Sequence, residues 1–414
     1  MSRIKDIALA DHGIKKILWV YDRMDILKKL EERFRAEHPL AGLRIGMSIH
    51  MEAKTARLAL LLKEMGASVY AAGCNPLSTQ DDVAAGLTTM GVDVFALHGA
   101  SPQEYKKSLL DVLDREPDLI IDDGGDLFEA YYNLPDFHKW PVIGGCEETT
   151  TGVMRLRAYE KLGPLPFPMI NVNDAKCKHL YDNVYGTGQS TTNAIMSTTN
   201  NVIAGKTIVV AGYGYCGKGI AKRLHGMGGR IIVTEIDPVK AIEAKLEGYE
   251  VMTMSQAAPL GDIFVTATGC KDVITGKHFP FMKNNVILCN SGHFDVEINL
   301  NDLASMSSDI RERRDNITGY RLNPSGKVIN LLAEGRLVNL AAGNGHPAEI
   351  MDTSFALQTL SLLYLVKNQN KLENKLYDVP DSIDQKVARL KLQTMDVTID
   401  TLTDSQRKYL GLSN

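Results

Sequence analysis

The chain has 414 residues, 44% hydrophobic and 23% charged, too long for one ordinary core, so two domains are expected. Its 46 Lys+Arg against 50 Asp+Glu give a formal charge of −4, without the basic excess that a nucleic-acid binder carries. No apolar run approaches the roughly 18 residues needed to span a bilayer, and the start MSRIKDIALADHG has charges where a signal peptide is apolar.

Cys74, Cys146, Cys177, Cys216, Cys270 and Cys289 are scattered without a CxxC pair. They are expected as reduced thiols of a cytoplasmic protein, with no metal site.

In chain order, RIGMSIH (Arg44–His50) is a predicted strand, followed by a helix over about Glu52–Met65. SVYAAGC (68–74), VDVFALH (92–98), DLIIDDG (118–124) and WPVIGGC (140–146) are further strands. Strands alternating with helical stretches indicate βαβ units and a mostly parallel sheet. The second half repeats the theme in KTIVVAG, RIIVTE, DIFVTATG and NVILCNSG, with helical segments after the first two. Pro347–Val366 reads as one long helix with Pro at its start. The polar stretch after Asn368 reads as a linker into a small helical tail.

GYGYCG at Gly212–Gly217 fits G-x-G-x-x-G, although 35 Gly in 414 residues give about 0.25 chance matches. Context supplies the specificity. The loop follows the strand TIVVA, precedes a helical segment, and is followed by RIIVTE. That strand's last residue, Glu235, stands 23 positions after Gly212, where a carboxylate meets the ribose 2′-hydroxyl of NAD and would repel a 2′-phosphate. The glycines let the backbone approach the pyrophosphate at the positive end of a helix.

Ligands of open α/β sheets bind outside the carboxyl ends of the strands. Those ends in the first half are His50, Asn75, Asp122/Asp123 and Glu147/Glu148. Each has a structural alternative: a satisfied histidine, a helix cap for Asp122, a solvated Glu147. Their convergence on one rim favours a substrate or catalytic role for the set. NVNDAKCKHLYDN (171–183) packs Lys176, Lys178, Asp182 and Asn183 between the two halves, either as a solvated linker or as a segment reaching both ligands. His293 follows a strand of the second half, and His346 falls where the chain would return to the first.

The blocks HMEAKTA, NPLSTQDD, DDGGDL, EETTTG, NVND, GYGYCGKG, TEIDP, EGYEV, TGC, GHFDVEI, LLAEGRLVNL and GHP occur in that order from position 50 to 347. Together they closely resemble the S-adenosyl-L-homocysteine hydrolase family, and the shorter archaeal-type branch that includes S-inosyl-L-homocysteine hydrolases.

The resemblance implies an α/β fold of two doubly wound Rossmann-like domains plus a small helical C-terminal tail. The expected division is a substrate domain of 1–182 and 346–378, an NAD domain of 183–345, and a tail of 379–414 serving oligomerisation. It implies a tightly held NAD that oxidises the nucleoside 3′-hydroxyl, so that the C4′ proton becomes acidic and homocysteine leaves from C5′. Water then adds, and the ketone is reduced again.

Residue by residue, the resemblance assigns the 3′-hydroxyl proton to Lys178 and the ribose hydroxyls to Glu148 and Asp182. Asn183 and His293 border the reacting ribose, Asp123 and His50 do acid–base work near C4′ and C5′, and His346 borders the nucleoside. Thr149, Thr150, Thr151, Asn183, Glu235, Asn339 and His346 join Gly212, Gly214, Tyr215, Cys216 and Gly217 around NAD. A lysine in a closed cleft beside a dinucleotide cation is expected to have its ammonium disfavoured and to act as a base. The expected partner is a small nucleoside thioether, with neither nucleic acid nor membrane, in a homotetramer built as a dimer of dimers.

Two departures matter. Long members carry an extra C-terminal stretch whose Lys and Tyr reach the NAD of a neighbouring subunit. Here the sequence reads RKYLGLSN, so that contact is expected to be missing or differently made. After His50, where the long members carry a Thr and then a Glu or Gln facing the purine, Glu52 and Lys54 stand, followed by Thr55. Lys54 has only donors, which suits a 6-oxo purine better than a 6-amino one. An inosyl substrate is therefore an alternative to the adenosyl one. A plain NAD-dependent dehydrogenase shares the Rossmann half but has no need of the Lys178 cluster.

Overall fold

Six strands of the first half, β1 (Arg44–Ser48), β2 (Ser68–Ala72), β3 (Asp93–Phe95), β4 (Leu119–Asp122), β5 (Gly144–Glu147) and β6 (Met169–Asn171), form one parallel sheet. The second half forms another from β7 (Thr207–Ala211), β8 (Arg230–Thr234), β9 (Glu250–Val251), β10 (Ile263–Thr266), β11 (Val286–Asn290), β12 (Ser307–Arg314), β13 (Ile317–Leu322) and β14 (Val328–Leu332). A last strand, β15 (Leu376–Asp378), returns to the first sheet beside β6. The computed structural model describes residues 2–136 and 139–412. The last two residues of RKYLGLSN lie outside that range.

The first sheet runs β15-β6-β5-β4-β1-β2-β3 and the second β12-β13-β14-β11-β10-β7-β8-β9. Both contain the doubly wound order 3-2-1-4-5-6. The expected fold class of two Rossmann-like domains is what the chain adopts. In the second sheet β13 is antiparallel to both β12 and β14, forming a hairpin edge that the parallel pattern did not anticipate.

The central strands are apolar throughout because helices cover both faces of each sheet there. In the first, Ile45, Met47, Leu119 and Ile121 enter one core cluster while Ile120 and Ala72 enter another on the opposite face. In the second, Ile208 and Val210 face one cluster, and Val209 and Phe264 the other. That period of two is the pleat of the strand. Each fully buried Ile or Leu contributes about 1.5–3 kcal/mol.

Two elements link the sheets. Lys178–Gly186 is a wide π-helical stretch running straight into the helix Thr187–Thr199, which packs on the second sheet through Ala194 and Ile195. The helix Ala348–Lys367 brings the chain back and buries Phe355, Leu357, Leu360 and Leu362 against the first. The segment read as a linker after Asn368 contains β15. Behind it, the tail helix Asp381–Thr394 docks through Asp384, whose carboxylate accepts the backbone N–H groups of Lys176 (2.8 Å) and Cys177 (3.0 Å). Among the described residues no helix is long and apolar enough to cross a membrane.

Candidate active site

A cavity of about 1000 Å³ lies between the carboxyl ends of the two sheets and reaches both switch points. On one side are the segments after β1 and β4, and on the other those after β7 and β10. Every residue that the resemblance assigned to the site lines it except Gly217.

The absence of Gly217 has a packing reason. It lies inside the helix Tyr215–Gly226, where a Cβ would collide with the carbonyl oxygen of Gly212. Its role is close helix–strand packing, the third-glycine role of the motif. Gly212 has φ +93°, left-handed backbone favoured only by glycine, and a Cβ there would stand 2.7 Å from the Ala267 carbonyl. The helix makes its first internal bond from Lys218 N–H to the Gly214 carbonyl, so the N–H groups before it are the unpaired donors of a helix N-terminus.

Glu235 ties down the same loop. One oxygen accepts the Tyr213 N–H at 2.6 Å, the other those of Ile236 (2.7 Å) and Asp237 (3.0 Å). A carboxylate has about four acceptor sites, leaving room for a ribose hydroxyl. Asn339 donates to Ser190 at 2.9 Å, while its own buried oxygen has no hydrogen-bond partner. A glycine cradle, a helix N-terminus, a strand-end carboxylate and an orphaned acceptor together fit a dinucleotide.

The opposite wall is ionic. Lys178, Asp182 and Asn183 stand at i, i+4 and i+5, which the wide turn of a π-helix brings to one side. Lys178 Nζ donates to Asn183 Oδ1 at 2.9 Å and lies 3.3 Å from Asp182 and 3.5 Å from Glu148. Burial alone would lower the lysine's pKa. Asp182 and Glu148 outweigh it and raise the pKa above the usual lysine range. This corrects the expectation from sequence, because the two carboxylates favour the ammonium.

Asp182 also meets His346 Nδ1 at 2.8 Å and accepts from Ser354 at 2.6 Å. Despite burial, Lys178 and His346 hold its carboxyl well below the usual range. Glu148 behaves oppositely. Burial first, with Asp182 adding to it against the pull of Lys178, pushes it up to about 7.

His50 and Asp123 sit at neighbouring strand ends, Nε2 3.7 Å from Oδ2. Burial drives the imidazole down to about 4, in spite of Asp123. His50 is therefore neutral near pH 7, with Nδ1 fixed 2.6 Å from Ser78 Oγ. His293 reaches across from the second sheet, Nδ1 3.8 Å from the other Asp123 oxygen.

Glu52 caps the helix Ala53–Glu64, accepting from the N–H groups of Lys54 and Thr55. Lys54 Nζ lies 2.5 Å from the Glu52 carboxylate and donates to the Asn344 carbonyl at 2.8 Å. Thr149 caps the helix Thr150–Glu160, and Thr150 reaches Asn173 at 3.3 Å.

Other strand-end residues serve the scaffold. Asp122 accepts from Phe128 N–H at 2.7 Å, the helix-anchoring alternative. Glu147 is fully buried, not solvated, and binds the N–H groups of Gly124 and Thr149, both at 2.9 Å. Asn75 only closes a turn, onto Leu77 N–H. Lys176 pairs with Asp381 outside the cavity.

Three supporting residues escaped the sequence reading. Ser78 holds His50, Ser354 holds Asp182, and Gln358 donates to Glu148 at 2.5 Å. Ser354 and Gln358 stand four apart on one face of a mostly apolar helix, a polar stripe that was their only signal.

Comparison with known proteins accords with this geometry. Residues 183–345 match the family model of the S-adenosyl-L-homocysteine hydrolase NAD binding domain, and residues 1–139 match that of S-adenosyl-L-homocysteine hydrolase. An S-inosyl-L-homocysteine hydrolase of Methanococcus maripaludis is 50% identical over 411 residues, 99% of each chain. An adenosylhomocysteinase of Aquifex aeolicus is 51% identical, covering 99% of this chain and 98% of its own. One from Thermotoga maritima is also 51% identical, covering 96% and 98%. The chain belongs to the S-adenosyl-L-homocysteine hydrolase family and is a hydrolase with that family's NAD-binding domain.

Proposed function

We propose that the chain catalyses the reversible hydrolysis of S-adenosyl-L-homocysteine to adenosine and L-homocysteine. The observation that carries this reading is the Lys178–Asp182–Glu148 cluster, buried in the same cavity as the glycine loop and Glu235. NAD, when bound, supplies a reversible oxidant for the ribose 3′-hydroxyl. Gly212, Gly214, Tyr215, Cys216 and Glu235 hold it on one side, and Thr149, Thr150, Thr151, Asn183, Asn339 and His346 on the other.

Glu148 and Asp182 bind the ribose hydroxyls, with Asn183 and His293 bordering the ring. Lys178 takes the O3′ proton and returns it later; Asp182, Glu148 and Asn183 Oδ1 stabilise the ammonium that results. A cationic ligand in the same cleft favours the neutral lysine that must accept this proton. With C3′ a ketone, the C4′ proton is acidic, and Asp123 with His50 removes it. The C5′–sulfur bond breaks, homocysteine leaves, and the same pair directs water to C5′ and restores the C4′ proton. One water is consumed with no net redox change. His346, tied to Asp182 beside Gly345, closes the nucleoside side.

A second reading, the inosyl substrate, is favoured by one observation. Lys54 spends two of its three donors on Glu52 and Asn344, and the third suits a 6-oxo acceptor. Glu52, Lys54 and Thr55 would then face the purine.

In this reading the substrate domain comprises 1–182 and 346–378, and the NAD domain 183–345. The tail 379–414 serves a cytoplasmic homotetramer, a dimer of dimers, and the small thioether is the partner rather than nucleic acid.

The test is to incubate the NAD-loaded protein with each thioether and assay free thiol beside net NADH. Thiol release without NADH accumulation is expected. Net NADH without thiol would point to a dehydrogenase, and the ratio of kcat/KM values decides the purine.

A further inference from the structure

Cys74 has no part in the chemistry above, yet the fold brings it to the reacting centre. His50, Cys74 and Asp123 follow β1, β2 and β4, three adjacent strands, and all three are buried. One ring nitrogen, the thiol sulfur and one carboxylate oxygen lie within 4.8 Å of one another. Separations of 24 and 49 positions hide this set from any spacing rule, which is why no metal site was expected from sequence.

We propose that His50, Cys74 and Asp123 form a binding site for a soft divalent cation of the Zn2+ class, and that occupying it stops turnover. The ligand set offers one nitrogen, one sulfur and one oxygen, the three donor types that Zn2+ takes from proteins. Bonds of 2.0–2.3 Å in a tetrahedral centre place the donors about 3.3–3.7 Å apart. The His50 Nε2–Asp123 Oδ2 separation of 3.7 Å is already in that range, and the three-donor set as a whole lies within 4.8 Å.

An independent observation points the same way. The other Asp123 oxygen, Oδ1, 3.8 Å from His293 Nδ1, is buried without a hydrogen-bond partner, so this carboxylate is under-satisfied in a way that a cation would relieve. His50 is held by Ser78 on Nδ1, the outer contact that orients a metal-bound imidazole. Binding exchanges the thiol proton for the metal–sulfur bond, and no electron is transferred. Because His50 and Asp123 line the substrate cleft, the cation and the nucleoside exclude each other.

The site stands on these contacts whatever the purine, and one readout does not depend on turnover. The NAD-loaded protein is titrated with Co2+ alone, following the thiolate-to-cobalt charge-transfer absorption. Cys270, the exposed thiol, is replaced by Ser throughout. One charge-transfer site per chain is expected, lost in both Cys74→Ser and Cys74→Ala, with Zn2+ displacing the cobalt. Zn2+ inhibition of thiol release is expected to be competitive with the thioether and weakened at least about tenfold by either Cys74 substitution, while metal-free activity persists. An unchanged cobalt band in Cys74→Ala, or no band in the parent, overturns the proposal.

Discussion

The two sheets share one strand order and present their switch points to one cavity, yet they equip those points differently. At β7/β10 the lining proposed to receive NAD is mostly backbone, glycines and helix N–H groups, with a single carboxylate, Glu235. At β1/β4 it is side chains, His50 and Asp123, joined by Glu148, Lys178 and Asp182. A site made of backbone demands residues without side chains at fixed spacing, and so it leaves a motif. A site made of side chains depends on which strand ends are neighbours, which no local spacing records. The chemistry needs both kinds. The cofactor wants a fixed mould, whereas the substrate wants protons held and moved.

The largest effect that could break this contrast is at Asp182, which meets Lys178, His346 and Ser354 at once. Asp182→Asn is expected to lower kcat/KM by about 10³, measured by thiol release, while the purified protein keeps its NAD. Loss of NAD along with activity would mean that the two walls are not separate in function.

Gly217→Ala tests the other wall. Its Cβ would strike the Gly212 carbonyl, pushing the pyrophosphate loop off its strand. NAD affinity should fall on the order of 100-fold, with Lys178 and its partners undisturbed. Equilibrium dialysis of NAD checks this, and near-normal retention would show that the mould tolerates a side chain.

Smallest is a pH effect at Glu148. Its folded-state pKa of about 7 lies above the ordinary carboxyl value, so between about pH 4.5 and 7 the folded protein keeps a proton that the unfolded chain releases. The stability this group contributes is full below the unfolded value and is lost as pH rises through about 7. Glu148→Gln should therefore gain on the parent across that window by on the order of 1 kcal/mol per pH unit, read from denaturant midpoints. A constant difference would mean that the carboxyl ionises normally.

The same contrast governs what could be read in advance. The apolar strands β1, β2, β4, β7, β8, β10 and β11 were legible because burial on both faces leaves runs of Ile, Val and Leu. Their margins were not, since pairing stops where the chain turns into the cavity: RIGMSIH is strand only to Ser48. The hairpin of β12 and β13 was missed because SSDIRERR is polar on both faces, as an exposed edge strand can be. β15 hid in a charged stretch whose three residues pair only with β6. Among site residues, Asp123 and Glu148 were found at strand ends, but which acid of each pair turns to the cavity was set by packing. Asp122 and Glu147 are taken by backbone N–H groups. The carboxylates' hold on the Lys178 charge required knowing how close Glu148 comes from another element.

The most direct measurement of the central claim, that the two unlike walls act on one ligand, is the absorbance of enzyme-bound NADH after mixing NAD-loaded protein with nucleoside thioether. The account predicts a bound-NADH signal in the parent that returns to baseline as turnover ends. In Lys178→Met, NAD should still be bound and no such signal should form. A normal NADH signal in Lys178→Met would contradict the role given to that lysine and the coupling of the two walls.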